Sequence, residues 1–164
     1  MAGEIVDPNY LLVFFGAILG MTGGFIGSAL GISKAASSGL AVLGEDAAYF
    51  KNVMLLAALP MTQTFYGFVF ALYTLTIALP GMMLSMTPLK AAAIFSVEVM
   101  VFAAELYSAN KQGEVCMSGI MELPKTKGKI TTSTMILAAY EEIFGILGMV
   151  FGIVMLSLIA PLSI

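Results

Sequence analysis

Four long apolar stretches, at residues 10–32, 50–79, 90–109 and 131–159, leave this chain few possible folds. A bilayer's hydrocarbon core, about 30 Å thick, is crossed by about 20 apolar residues of helix. Backbone N–H and C=O groups find no water there, so each segment must satisfy its own, which a helix does. The composition agrees: 60% of residues are hydrophobic, 10% are charged and mean hydropathy is +1.01, outside the balance of a soluble domain. The sequence predicts an all-α membrane protein of four transmembrane helices.

The intervening segments pair these helices into two hairpins, residues 1–79 and 90–164, joined by a link at 80–89 that holds Pro80, Gly81 and Pro88. A polar connection with Lys34, Glu45, Asp46 and Lys51 closes the first hairpin, and a lysine-rich loop closes the second. Lys34, Lys51, Lys111, Lys125, Lys127 and Lys129 lie in or beside these two loops, and only Lys90 lies near the link. The positive-inside rule then makes the hairpin loops cytoplasmic and places both termini outside. Residues 1–9 contain Glu4 and Asp7 but no basic residue, so the basic start of a secretory signal is missing and the first apolar run is expected to be retained.

The halves resemble each other. Ala57, Ala58 and Gly67 recur as Ala138, Ala139 and Gly148, 81 residues later, and Ser38-Gly39-Leu40 recurs as Ser118-Gly119-Ile120, 80 residues later. The reading is a tandem duplication of one hairpin, with both copies oriented alike, unlike the inverted repeats common in secondary transporters. Helix one carries Gly16, Gly20, Gly23, Gly24, Gly27 and Gly31, a ladder that lets a neighbouring backbone approach closely. The third stretch has a weaker bias of the same kind, in Ala92, Ala93, Ser96, Ala103, Ala104 and Ser108. Either a crowded subunit interface or ordinary packing within one bundle would use such residues.

Some chemistries are excluded early. All seven basic residues are lysines without a clustered basic face, which argues against a nucleic-acid partner. With one cysteine and no histidine there is no internal disulfide and no Cys/His metal site, and Cys116 reads as a small filler. No nucleophile and base pair suggests an intramembrane enzyme.

The residue that carries chemistry is Glu142, about 16 Å into the fourth stretch at 1.5 Å per residue, near mid-membrane. A bare carboxylate there must be protonated, paired or neutralised by a cation, and no arginine or mid-span lysine is at hand. In helix two, Thr62, Gln63 and Tyr66 follow Leu59 at spacings of three, four and seven, so the four share one face. Pro60 lacks an N–H and crowds the carbonyl of Leu56, which frees nearby carbonyl oxygens to serve as ligands. Carboxylate, hydroxyl, amide and carbonyl oxygens with one negative charge suit a hard monovalent cation, and sodium is the natural candidate. Taken singly, Thr62 and Gln63 could equally bond between helices, and Tyr66 could simply pack.

With these residues in view, the chain resembles the membrane rotor subunits of V-type rotary ATPases, the duplicated proteolipids. The resemblance covers nearly the whole chain and rests on residues 59–67 (LPMTQTFYG), on Gln112-Gly113-Glu114-Val115 with Ser118-Gly119-Ile120, and on Ala138-Ala139-Tyr140-Glu141-Glu142. It implies a ring of identical subunits in a prokaryotic plasma membrane, facing a stator subunit, a central stalk at the cytoplasmic loops, and lipid. It implies that Na+, or alternatively H+, is the cargo, held by Glu142, Thr62, Gln63, Gln112 and the carbonyl of Leu59, with Tyr66 locking the glutamate. Nucleotide chemistry, ATP hydrolysis or synthesis, would lie in other subunits, so this chain is expected to be no enzyme. Gln112 lies past residue 109, so the resemblance also implies that the third helix continues. Displacement by 81 from Glu142 reaches Met61, leaving one site per subunit.

Three acids remain. Glu141 adjoins Glu142 about 100° around the helix, so only one of them faces the site, and the match through Ile146-Leu147-Gly148 favours Glu142. Glu98 and Glu105 stand seven apart on one face of helix three, which reads as a water-lined or headgroup position, or else as an auxiliary site. The alternative to a rotor subunit is a small four-helix secondary transporter or channel for cations that uses the same glutamate.

Overall fold

The computed structural model describes residues 7–162, and all its elements are helical. Four long helices run α1 (Pro8–Glu45), α2 (Ala47–Ser85), α3 (Pro88–Met121) and α4 (Thr131–Ile159). Asp7 and Thr87, each followed by a proline, start α1 and α3 by accepting from the backbone N–H groups of Asn9 and Lys90. Asp46 breaks the chain between α1 and α2 in extended conformation and caps the next turn through Ala48 N–H. After α3 a short turn, Leu123–Thr126, ends at Lys127 and Gly128, both left-handed, and the chain reverses into α4.

The helices are longer than the apolar stretches. α1 continues past residue 32 and α3 past residue 109, because charge alone does not end a helix and these charges pair along its surface. Lys34 bonds Asn110 at 2.6 Å and Glu114 at 2.8 Å, and Lys111 also reaches Glu114 at 2.8 Å. The expected link at 80–89 is mostly helix, since α2 continues to Ser85. α2 is irregular where its prolines lie. A 3-10 turn at Leu59–Met61 accommodates Pro60, and a π turn at Thr74–Ala78, closed by Leu79 N–H onto the Thr74 carbonyl, precedes Pro80.

Three helices, α1, α2 and α4, are long and apolar enough to cross a membrane. α3, which carries Lys90, Glu98, Glu105, Lys111 and Glu114, is not among these three. It lies closest to α1, and there the glycines matter. A Cβ on Gly27 would stand 2.7 Å from the Leu106 carbonyl oxygen, and one on Gly113 would strike the backbone of Gly31. Two apolar clusters fill the interior. One, around Val13, Phe70, Met82, Ile94, Val101 and Leu156, lies toward Ser85 and Pro88. The other, around Ala35, Leu56, Ile120, Leu123 and Ala138, holds Cys116 fully buried, in the filler role expected of it. Between them lies a polar layer. Phe14, Phe15, Phe65, Phe144 and Phe151 face outward, an apolar exterior suited to lipid or to neighbouring subunits.

Candidate ion-binding site

The polar layer is built where α2, α3 and α4 meet. On α4, Glu142 Oε1 accepts from the Tyr66 hydroxyl at 2.7 Å and Oε2 accepts from Gln112 Nε2 at 3.3 Å. Gln112 Nε2 also donates to the Ala138 carbonyl at 3.3 Å, tying α3 to α4 one turn before the glutamate. Gln63, fully buried, donates through Nε2 to Gln112 Oε1 and to Ser108 Oγ, both at 3.0 Å. Its Oε1 accepts from Thr62 Oγ1 at 3.2 Å, and that hydroxyl lies 3.3 Å from the Leu59 carbonyl.

The local backbone explains this reach. In the 3-10 turn around Pro60, the Leu59 carbonyl takes the N–H of Thr62, three residues on, and so lies beside the Thr62 side chain. An unbroken α-helix would direct that carbonyl along the axis to residue 63. Gln112 joins because α3 continues past residue 109, and Ser108, one turn earlier on the same face, comes with it.

Leu59, Thr62, Gln63, Tyr66, Gln112 and Glu142 are thus gathered into one hydrogen-bonded network. Glu142 is half-buried, between the buried amides and the outer surface. Glu141 turns away and lines a groove of about 420 Å³ between α3 and α4, with Tyr107, Lys111, Phe144 and Phe151. Ser108 was missed as a site residue. It donates to the Glu141 carbonyl at 2.7 Å and accepts from Gln63, and its spacing of four from Gln112 was the signal that could have revealed it. Glu98 and Glu105 are fully buried inside the bundle, not at a headgroup position.

The oxygens gathered here carry one formal charge, on Glu142, amid neutral hydroxyl, amide and carbonyl groups. Such a set binds hard cations in preference to transition metals. The family model of the ATP synthase C subunit matches residues 15–74, within α1 and α2. V-type sodium ATPase subunit K of Enterococcus hirae is 31% identical over 160 residues, covering 93% of this chain and 96% of that protein. A match of that extent shows that the chain belongs to the family that unites the ATP synthase C subunit with V-type ATPase subunit K.

Proposed function

We propose that this chain carries Na+ across the membrane on Glu142, as one of the identical subunits of a rotor ring. The coarser statement follows from the family: the chain is a non-catalytic, integral membrane proteolipid subunit of an ATPase. The sodium reading rests on one observation, the convergence of Leu59, Thr62, Gln63, Gln112 and Tyr66 on Glu142. A proton would need only the carboxylate, whereas a hard cation needs several oxygens around it. The relative named for sodium supports the same choice. On this reading Glu142 binds Na+ with Thr62 Oγ1, Gln63 Oε1, Gln112 Oε1 and the Leu59 carbonyl.

All four helices cross the membrane in this proposal. α3 does so despite its charges because Glu98 and Glu105 are buried in the bundle while Lys111 and Glu114 pair near its far end. The hairpin loops meet a central stalk on the cytoplasmic side, the termini lie outside, and the outward phenylalanines meet lipid or the next subunit. Each subunit takes an ion from one half-channel of a stator subunit and gives it up to another as the ring turns. Rotation couples the ion to ATP hydrolysis or synthesis elsewhere in the complex.

A carboxyl-modifying carbodiimide, which attacks the protonated acid, tests the reading on the purified protein across pH. Labelling is expected on Glu142, is expected to be suppressed by Na+, and is expected to vanish in Glu142→Gln while persisting in Glu141→Gln. Labelling that follows pH but ignores Na+ would make the cargo a proton, and labelling on another acid would remove Glu142 from the role.

A further inference from the structure

Two acids of α3 take no part in the network. Glu98 and Glu105 are both 0% exposed, and none of their four carboxyl oxygens has a hydrogen-bond partner among the described residues. A buried carboxylate with neither donor nor counter-charge is costly enough that something must neutralise it. The lysines that pair do so elsewhere: Lys34, Lys111 and Lys125 bond Glu114 and Glu122, and Lys90 is held by Ser85 and the Ala160 carbonyl.

The surroundings of the two acids differ. Glu98 lies against Gly16 and Gly20 of α1, with Phe70 and Phe95 close by, and the hydroxyl of Thr74 is donated to the Phe70 carbonyl at 3.0 Å. Glu105 points at the bare backbone of α4. A Cβ on Gly145 would stand 2.9 Å from Glu105 Oε2, 3.0 Å from Ser108 Oγ and 3.0 Å from Gln63 Cγ. The carboxyl of Glu105 and the hydroxyl of Ser108 therefore share a niche that exists because residue 145 is glycine. Ser108 donates its proton to the Glu141 carbonyl and accepts from Gln63 Nε2, which leaves one lone pair of its oxygen uncommitted.

We propose that Glu105, with Ser108, forms a second monovalent-cation site in each subunit, adjoining the Glu142 network and sharing Ser108 with it. The ligand chemistry repeats that of the first site: one carboxylate and neutral oxygens in a dry interior, suited to Na+. The inference rests on the sodium reading of that network, and the test separates the two.

Equilibrium binding of radiolabelled sodium to the purified, assembled protein counts ions per subunit. Two are expected in the native protein, one after Glu105→Gln, one after Glu142→Gln, and two after Glu98→Gln, whose neighbour Thr74 has its hydroxyl committed to the Phe70 carbonyl. A native count of one that Glu105→Gln leaves unchanged would overturn the second site. A count reduced by Glu105→Gln but not by Glu142→Gln would uphold it and remove the first-site reading instead. Assembled mass in detergent separates loss of an ion from loss of fold. Should Glu105→Gln not assemble, Glu105→Asp carries the test: it keeps the charge but retracts it, and binding of one ion is expected to weaken about tenfold, or about 1.4 kcal/mol. Unchanged affinity for every bound ion in that variant would count against the site.

Discussion

Tyr66 and Glu142 meet at 2.7 Å across the α2–α4 contact, and Tyr66→Phe removes that bond while keeping the ring in place. A hydrogen bond to a charged group is worth about 1.5–3 kcal/mol, so the Na+ concentration that half-protects Glu142 from carbodiimide is expected to rise about tenfold or more. An unchanged value would make Tyr66 a packing residue only. Much of this site could be read from the residues themselves. The spacing of Leu59, Thr62, Gln63 and Tyr66 put them on one face, and Glu142 stood out as a carboxylate in an apolar run. Gln112 was not legible from hydropathy, because Lys111 and Glu114 give its surroundings the look of a loop; only the resemblance reached it. Ser108 was hidden for the opposite reason, being small enough to pass as a packing residue.

The joints between helices depend on missing side chains. At Gly27 an added methyl group would lie 2.7 Å from the carbonyl oxygen and 2.8 Å from the Cα of Leu106, both backbone atoms that cannot turn aside. Gly27→Ala is therefore expected to cost about 1–3 kcal/mol, seen as a lower thermal midpoint in detergent. Gly44, also in α1, has nothing within 4 Å of such a methyl group. Gly44→Ala is expected to leave the midpoint unchanged or to raise stability by about 0.5–1 kcal/mol, since alanine favours helix over glycine. Equal effects at the two sites would mean that the α1–α3 seam is not what the ladder serves. The ladder itself was visible in the sequence. Its partner was not, because spacing along one helix does not say which neighbour lies against it.

At the scale of the whole molecule, the proposed arrangement puts the Lys127 turn and the Leu84 turn on opposite sides of the membrane. Cys116, the one cysteine, is fully buried, so cysteines introduced at these turns report without background. Lys127→Cys is expected to react with a membrane-impermeant maleimide from the cytoplasmic side, and Leu84→Cys, at a fully exposed position, from the other. Reaction of both from one side would overturn the four-span topology. The sequence by itself determined the solvent and the helical class and singled out a carboxylate within the fourth apolar stretch, because hydropathy and periodicity are local properties summed along the chain. It misplaced the helix ends, because polar residues that pair on a helix surface look like a loop until the partner is known. Only the tertiary structure decided that Glu142 rather than Glu141 enters the network, that a 3-10 turn sets the Leu59 carbonyl beside Thr62, and that Glu105 is sealed against Gly145. Each of these depends on which helices lie side by side and how each is turned, and that is fixed by packing between distant segments.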